Sequence, residues 1–232
     1  MIFIISILQE NYKVMQIQSH IIKNIPVFKV EDPMKDVIQF FKNTTYSHVA
    51  ICENEVFLGV LGENDLESFE EDKKIEDYRY NMESFSVQKE TSWLDVLETF
   101  ARNEANLVAV LNEKHKITGY YDLTDIVGVF IDTPFFTEPG GILVLAIGAK
   151  DYSFSEVAQI VESNNVKLLG GFITATQNDV VQITIKISTS NLNEIIQSFR
   201  RYNYTIVFGN NDDQFLEDLK QRSDYLDKYL NV

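Results

Sequence analysis

The chain has 232 residues and is 45% hydrophobic, enough for one good core or two modest ones and too apolar for a disordered segment. Its 20 lysines and arginines face 35 aspartates and glutamates, a net charge of -15 that opposes binding to phosphate backbones, and no basic patch offsets it, so no nucleic-acid partner is expected. The lone Cys52 allows no disulfide framework and no Cys-based zinc site within one chain, no metal site is expected, and a reducing cytoplasm fits this composition.

In chain order, the opening MIFIISIL has eight largely apolar residues without preceding positive charge. It is too short to span a bilayer and unlike a secretory signal, so no membrane partner is expected. Residues 1–16 are read as an N-terminal extension; Met15 follows closely, and an upstream start or an extra strand accounts for residues 1–14 as well as any function does.

The dominant feature is an internal repeat. The stretch VFKVEDPMKDVIQFF (27–41) lies over SVQKETSWLDVLETF (86–100), which places Asp36 over Asp95 and Val37 over Val96, and HVAIC (48–52) then lies over LVAVL (107–111). Each copy begins with a strand-like run. A helix follows, announced by Asp32-Pro33 or Thr91-Ser92, whose side-chain oxygens suit the exposed N–H groups of a first turn, with proline tolerated at the first helical position. Met34, Val37, Ile38 and Phe41 recur at helical spacing in the first copy, as do Trp93, Val96, Leu97 and Phe100 in the second. Two short apolar strands around a polar turn come next. A segment from glycine to aspartate then opens a final helix: GVLGENDL (59–66) in one copy and GYYDLTDI (119–126) in the other. The unit is β-α-β-β-α, with copies over 17–80 and 81–132.

This length, element order and closing pattern, apolar-Gly-x-x-[Thr/Ser]-x-x-Asp-Leu, resemble a tandem pair of cystathionine-β-synthase (CBS) domains, which form a pseudo-twofold disc with two clefts for adenine nucleotides. The resemblance implies that Gly59 and Gly119 admit a close backbone approach, that the helix starts face phosphate, and that Asp65 and Asp125 accept from ribose hydroxyls. It also implies that Ile25 and Val27, and Phe85 and Val87, flank the adenine ring. AMP, ATP and S-adenosylmethionine are the implied ligands. The chain departs from the family at the hydroxyl position, where Gly62 and Asp122 stand. Gly62 removes one donor, a loss of about 1 kcal/mol for an ordinary hydrogen bond. Asp122 sets a carboxylate where phosphate would sit, and like charges about 4 Å apart repel by roughly 1 to 4 kcal/mol depending on exposure. The same residues also suit plain helix capping, since Gly62 with Asp65 and Asp122 with Asp125 have N-cap and N3 spacing. His48, opening an inner strand, is open to a structural or a cleft role, and His115 lies in a polar turn.

After a proline- and glycine-marked hinge, TPFFTEPGG (133–141), the pattern changes. A buried strand (142–148), a helix opened by the capping box Ser153-Phe-Ser-Glu156 and running through Asn164, a hairpin turning at Gln177-Asn178-Asp179, a helix near 191–202 and a strand at 204–208 give β-α-β-β-α-β. That order is ferredoxin-like. With Glu-Pro-Gly-Gly before its first strand, the segment 142–210 resembles an ACT domain, a regulatory module that pairs edge to edge and binds amino acids near the first strand-to-helix loop. Here that loop carries Gly148, Lys150 and Asp151, which equally suit a plain connection. Residues 211–232 read as an amphipathic helix, with Phe215, Leu216, Leu219, Leu226 and Leu230 among charges. The fold class is therefore α+β, and the domain order resembles acetoin-utilisation regulatory proteins.

No nucleophile elbow, Walker loop, dinucleotide fingerprint or metal-ligand spacing occurs, so no catalytic residue is assigned and a non-enzymatic chain is expected. The function expected is a regulatory homodimer that senses a small ligand between the CBS copies. The alternatives are a ligand-free dimerisation or protein-interaction module and an amino-acid sensor acting through the ACT-like segment.

Overall fold

The computed structural model describes residues 17–189 and 192–209. The expected extension at 1–14 and the amphipathic helix at 211–232 lie outside the described residues. The chain divides into one compact unit up to Phe130 and a second from Ile131.

The first unit holds two three-stranded sheets of identical order. In the first repeat β1 (Phe28–Lys29) runs parallel to β2 (His48–Glu53), which pairs antiparallel with β3 (Val56–Gly62). In the second, β4 (Val87–Gln88), β5 (Leu107–Leu111) and β6 (Ile117–Asp122) repeat the arrangement. Even the irregularity recurs, because both ladders shift register just after the glycine pair, Ile51 with Gly59 and Val110 with Gly119. The helices Met34–Asn43 and Trp93–Arg102 cover their sheets through Met34, Val37, Ile38 and Phe41 and through Val96 and Phe100. Both inner strands are apolar on each face for a physical reason: Val49 and Ile51 pack under the first helix, while Ala50 joins a core shared with Val108, Val110 and Tyr120 of the other repeat.

The helix starts differ from the sequence reading. Ser92 caps as expected, its Oγ accepting from Asp95 N at 3.3 Å. Asp32 instead accepts from Lys29 N at 2.7 Å, closing the turn out of β1, and Pro33 occupies the N-cap itself, without a side-chain cap. Thr91 copies Asp32 by accepting from Gln88 N at 3.0 Å. The element opened by the glycine-to-aspartate segment is a six-residue 3-10 stretch, Glu63–Ser68, in the first repeat, followed by a second 3-10 stretch, Ile75–Asn81, whereas in the second repeat it is an α-helix, Leu123–Ile131. Gly62 offers no capping side chain and the run that follows is acidic with little apolar surface, while Asp122 accepts from Thr124 N at 2.7 Å and the helix behind it is rich in Ile, Val and Phe.

The repeats are interleaved. Ile22, in the lead segment of the first repeat before its first strand, exchanges both backbone hydrogen bonds with Tyr120 of the second at 2.8 and 2.9 Å. Glu83, in the lead segment of the second repeat before its first strand, does the same with Val60 of the first, at 2.9 Å both ways. Each lead segment thus extends the edge of the other repeat's sheet.

The second unit is a four-stranded antiparallel sheet in the order β10-β7-β9-β8, built from β7 (Gly141–Gly148), β8 (Leu168–Gln177), β9 (Val180–Ile187) and β10 (Thr205–Gly209). This is the ferredoxin-like arrangement. Its helices, Phe154–Ser163 and Asn193–Arg201, pack on one face against Leu143, Leu145, Ile183 and Ile185. The hairpin turns through Asn178 and Asp179, both with φ near +50 to +60°, as a two-residue loop of this hand requires. Ser153 caps its helix at 3.4 Å, but Glu156 turns away from the box to accept from Tyr204 Oη at 3.0 Å. The hinge contains a single helical turn, Pro134–Thr137, whose Phe135 lies against Phe172 and whose Phe136 carbonyl accepts from the buried Lys186.

Candidate functional site

The two repeats meet at a reciprocal pair. Ser47 and Asn106 occupy equivalent positions; Ser47 N donates to Asn106 Oδ1 and Asn106 N donates to Ser47 Oγ, both at 2.8 Å. Asn106 Nδ2 adds a bond to the Thr45 carbonyl at 2.7 Å. Their carbonyls reach the closing helices, because Glu63 N donates to Ser47 O at 2.8 Å and Leu123 N donates to Asn106 O at 3.0 Å. The glycine-to-aspartate segments are therefore anchored to one central clasp.

Around the first segment the structure assembles His48, Gly62, Asp65, Asn81, Glu83 and Phe85. His48 is buried, with its Nε2 at 3.3 Å from Glu83 Oε1, its Nδ1 at 2.8 Å from Ser47 Oγ and its ring edge-on to Phe85. A carboxylate accepts, so the ring proton belongs on Nε2, and Nδ1 accepts from the Ser47 hydroxyl. Burial holds the His48 pKa below its usual value, against the opposing pull of Glu83 and, more weakly, of Asp65. The imidazole is neutral at pH 7. A Cβ on Gly62 would stand 3.4 Å from His48 Nε2 and 3.5 Å from Glu83 Oε1, so the space beside this glycine is walled by that pair. Asp65 is half-buried, and its Oδ2 accepts from Asn81 Nδ2 at 3.5 Å.

Around the second segment, Asp122 caps Leu123–Ile131 and Asp125 is exposed in its first turn. Burial foremost, then the charges of Asp122 and Asp125, raises the pKa of Tyr46 in the first repeat. The glycines have an additional structural duty. At Gly119, with φ +149°, a Cβ would lie 2.4 Å from the Ile22 carbonyl oxygen, and at Gly59 one would lie 2.8 Å from that of Glu83. The backbone that comes closest is the crossing lead segment.

Phe85 and Val87 are buried in the shared core, and Ile25 and Val27 pack partly buried against it. Tyr120 reaches across as well, its hydroxyl donating to the Pro26 carbonyl at 2.7 Å and accepting from Ala50 N at 3.1 Å. Burial pushes its pKa up, and that of Tyr121, whose hydroxyl has no hydrogen-bond partner among the described residues, up to about 12. An open hollow of about 490 Å³ lies beside the clasp, lined by Ser47, Asn106, Leu97, Phe100 and Leu123 among others; none of the predicted ligand residues lines it. His115 is exposed at its turn, where its carbonyl accepts from Phe57 N of the other repeat.

In the second unit, Gly148, Lys150 and Asp151 form a closed turn. Asp151 N donates to Gly148 O at 2.9 Å, Ala149 N donates to Asp179 O at 2.7 Å, and Lys150 and Asp151 are exposed. Among the described residues no cluster of histidine, cysteine and carboxylate groups could hold a metal, and no helix is long and apolar enough to cross a membrane.

Ser47, Asn81, Glu83, Asn106 and Tyr120 escaped the sequence reading. The repeat offset alone pairs Ser47 with Asn106. Glu83 carries no such signal, because it enters the first repeat only through the crossing of the lead segments.

The CBS domain model matches residues 15–70 and 75–132. The chain is similar to a CBS domain pair/ACT domain protein from Thermotoga maritima at 15% identity and a TM-score of 0.46, over 50% of this chain and 97% of that one. It is also similar to the soluble part of a magnesium transporter at 20% identity and a TM-score of 0.45, over 53% of this chain and 50% of that one. A third similar structure is the CBS domain of a bacterial CNNM/CorC family Mg2+ transporter in complex with ATP, at 15% identity and a TM-score of 0.41, over 55% of this chain and 94% of that one. No curated protein matches the chain.

Proposed function

We propose that this chain, which carries two CBS domains in tandem, is a non-catalytic regulatory protein of the cytoplasm that binds an adenine nucleotide or nucleoside between its repeats and thereby alters a homodimer or a protein partner. The observation that carries the reading is the central clasp: Ser47 and Asn106 hold the two glycine-to-aspartate segments in pseudo-symmetric positions. Asp65 is the residue assigned to the ribose hydroxyls in the first cleft, with Asp125 its weaker counterpart. Such a ligand shifts an equilibrium only by its difference in affinity for two states, and the closing helices, tied to one clasp, are the elements whose positions it would bias.

A thermal-shift series on the purified chain with adenosine, AMP, ATP and S-adenosylmethionine tests this. At least one ligand is expected to raise the melting temperature, by the equivalent of about 2.7 kcal/mol at a hundredfold excess over its Kd. Asp65→Ala is expected to abolish the shift, and a wild type that none of the four stabilises removes the basis of the reading.

A second reading, a ligand-free dimerisation platform, is favoured by Tyr120, whose hydroxyl spans the repeats, and by the burial of Phe85 and Val87 in the shared core. The ferredoxin-like unit fits an ACT-type role in either case. Amino-acid binding at Gly148, Lys150 and Asp151 is its testable form, by calorimetry against an amino-acid panel.

A further inference from the structure

Resting on the reading of the clefts as adenine-ligand sites, we infer that they select against a 5′-phosphate and take an adenine nucleoside whose 5′ substituent is neutral or positively charged. The place where a hydroxyl residue would meet phosphate carries a carboxylate in both repeats, by two different routes. In the second repeat the carboxylate is local, since Asp122 stands at the head of Leu123–Ile131. In the first it is borrowed. Gly62 leaves the position bare, and the lead segment of the other repeat brings Glu83 in, its Oε1 3.5 Å from where a Cβ on Gly62 would be. The Glu83 side chain is 51% exposed, so its charge faces the solvent side of the site while His48 Nε2 holds it from within.

Some backbone donors at these helix starts are committed too. An anion at a helix start is held by N–H groups lacking partners inside the helix. Here Glu63 N is bonded to Ser47 O and Leu123 N to Asn106 O, and Thr124 N is bonded to Asp122 Oδ1. The first repeat has only six residues of 3-10 helix behind its start, too short for an appreciable dipole. A phosphate dianion would meet a carboxylate in either cleft, where these three N–H groups are already engaged. A ribose bearing a neutral or cationic group would meet the same carboxylates as acceptors or counter-ions. The net charge of -15 acts in the same direction at longer range.

Calorimetric titration of the full chain with adenosine, 5′-methylthioadenosine and AMP tests the inference. The two uncharged nucleosides are expected to bind at least tenfold more tightly than AMP. Glu83→Gln retains an acceptor for His48 Nε2 and Asp122→Asn retains one for Thr124 N, so both variants remove charge while leaving the local bonds in place. In the double variant AMP affinity is expected to rise at least fivefold, with the nucleosides little changed. AMP binding as tightly as adenosine to the wild type would overturn this inference and leave the proposed function standing; no binding by any of the three would overturn this inference, and the proposed function falls with it only if ATP and S-adenosylmethionine also fail to stabilise the chain. An unchanged ratio in the double variant, with a wild-type melting temperature, would overturn the assignment to Glu83 and Asp122.

Discussion

The two repeats share strand order, register and even the position of a bulge, yet they start their closing helices differently. The second repeat has its own cap, Asp122, and nine residues of α-helix behind it; the first has a bare glycine and a short 3-10 stretch. What the first repeat lacks locally it receives from the crossing lead segment, which delivers Asn81, Glu83 and Phe85 beside His48 and Asp65. Each sheet edge is completed by the other copy's lead segment. The side chains at the helix starts differ while the ladder and the Ser47–Asn106 clasp are the same in both.

That comparison is sharpened most strongly at the paired glycines. Gly119 combines φ +149° with 2.4 Å to the Ile22 carbonyl, while Gly59 has only the 2.8 Å approach to Glu83. Gly119→Ala should cost about 3 kcal/mol or more and Gly59→Ala about 1 to 3 kcal/mol in urea denaturation, and equal costs would show that backbone conformation is not what separates the repeats. Next in size is the clasp. Asn106→Ala strands Ser47 N and the Thr45 carbonyl, a loss of about 1 to 3 kcal/mol, and a cost below about 0.5 kcal/mol would mean that water satisfies both groups. At the first helices, Ser92→Ala should cost about 1 kcal/mol, while a substitution of Pro33, which makes no side-chain cap, has no cap bond to lose.

A subtler difference concerns pH. His48 stands where the second repeat has Leu107, and its pKa is lowered in the folded chain from a reference of 6.5. Below that value the unfolded chain binds the proton first, so the stability associated with neutral His48 is complete above pH 6.5 and is lost as pH falls toward the lower folded pKa. His48→Leu should flatten the stability profile as pH falls below 6.5 relative to wild type, as followed by denaturant midpoints. A variant with an unchanged slope would assign the acid sensitivity to other groups. The smallest effect is expected at the exposed pair Lys116 and Glu55, 2.6 Å apart between the two hairpins, where Glu55→Gln should change stability by less than about 1 kcal/mol.

The sequence disclosed what local periodicity and local chemistry control. The repeat, its first helices, the Ser92 and Ser153 caps, and the β-α-β-β-α-β order of the second unit all follow from spacing within short windows. It did not disclose what depends on partners distant in the chain. Asp32 was legible as a cap and instead ties Lys29, since Pro33 takes the N-cap position. Glu63–Ser68 was legible as a helix start, but it has neither a side-chain cap nor the apolar stripe that tertiary packing needs to hold an α-helix. Glu83 and Asn81 could not be placed beside Gly62 and Asp65 from spacing at all, because the crossing of the lead segments is a property of the folded pair of repeats.

The most direct test of the account is a crystal structure of the chain soaked in adenosine. The account predicts a nucleoside between the repeats, with its ribose hydroxyls on the Asp65 carboxylate and its 5′ carbon near Glu83. Unliganded clefts at saturating adenosine, or a nucleoside bound away from Asp65 and Asp125, would contradict it.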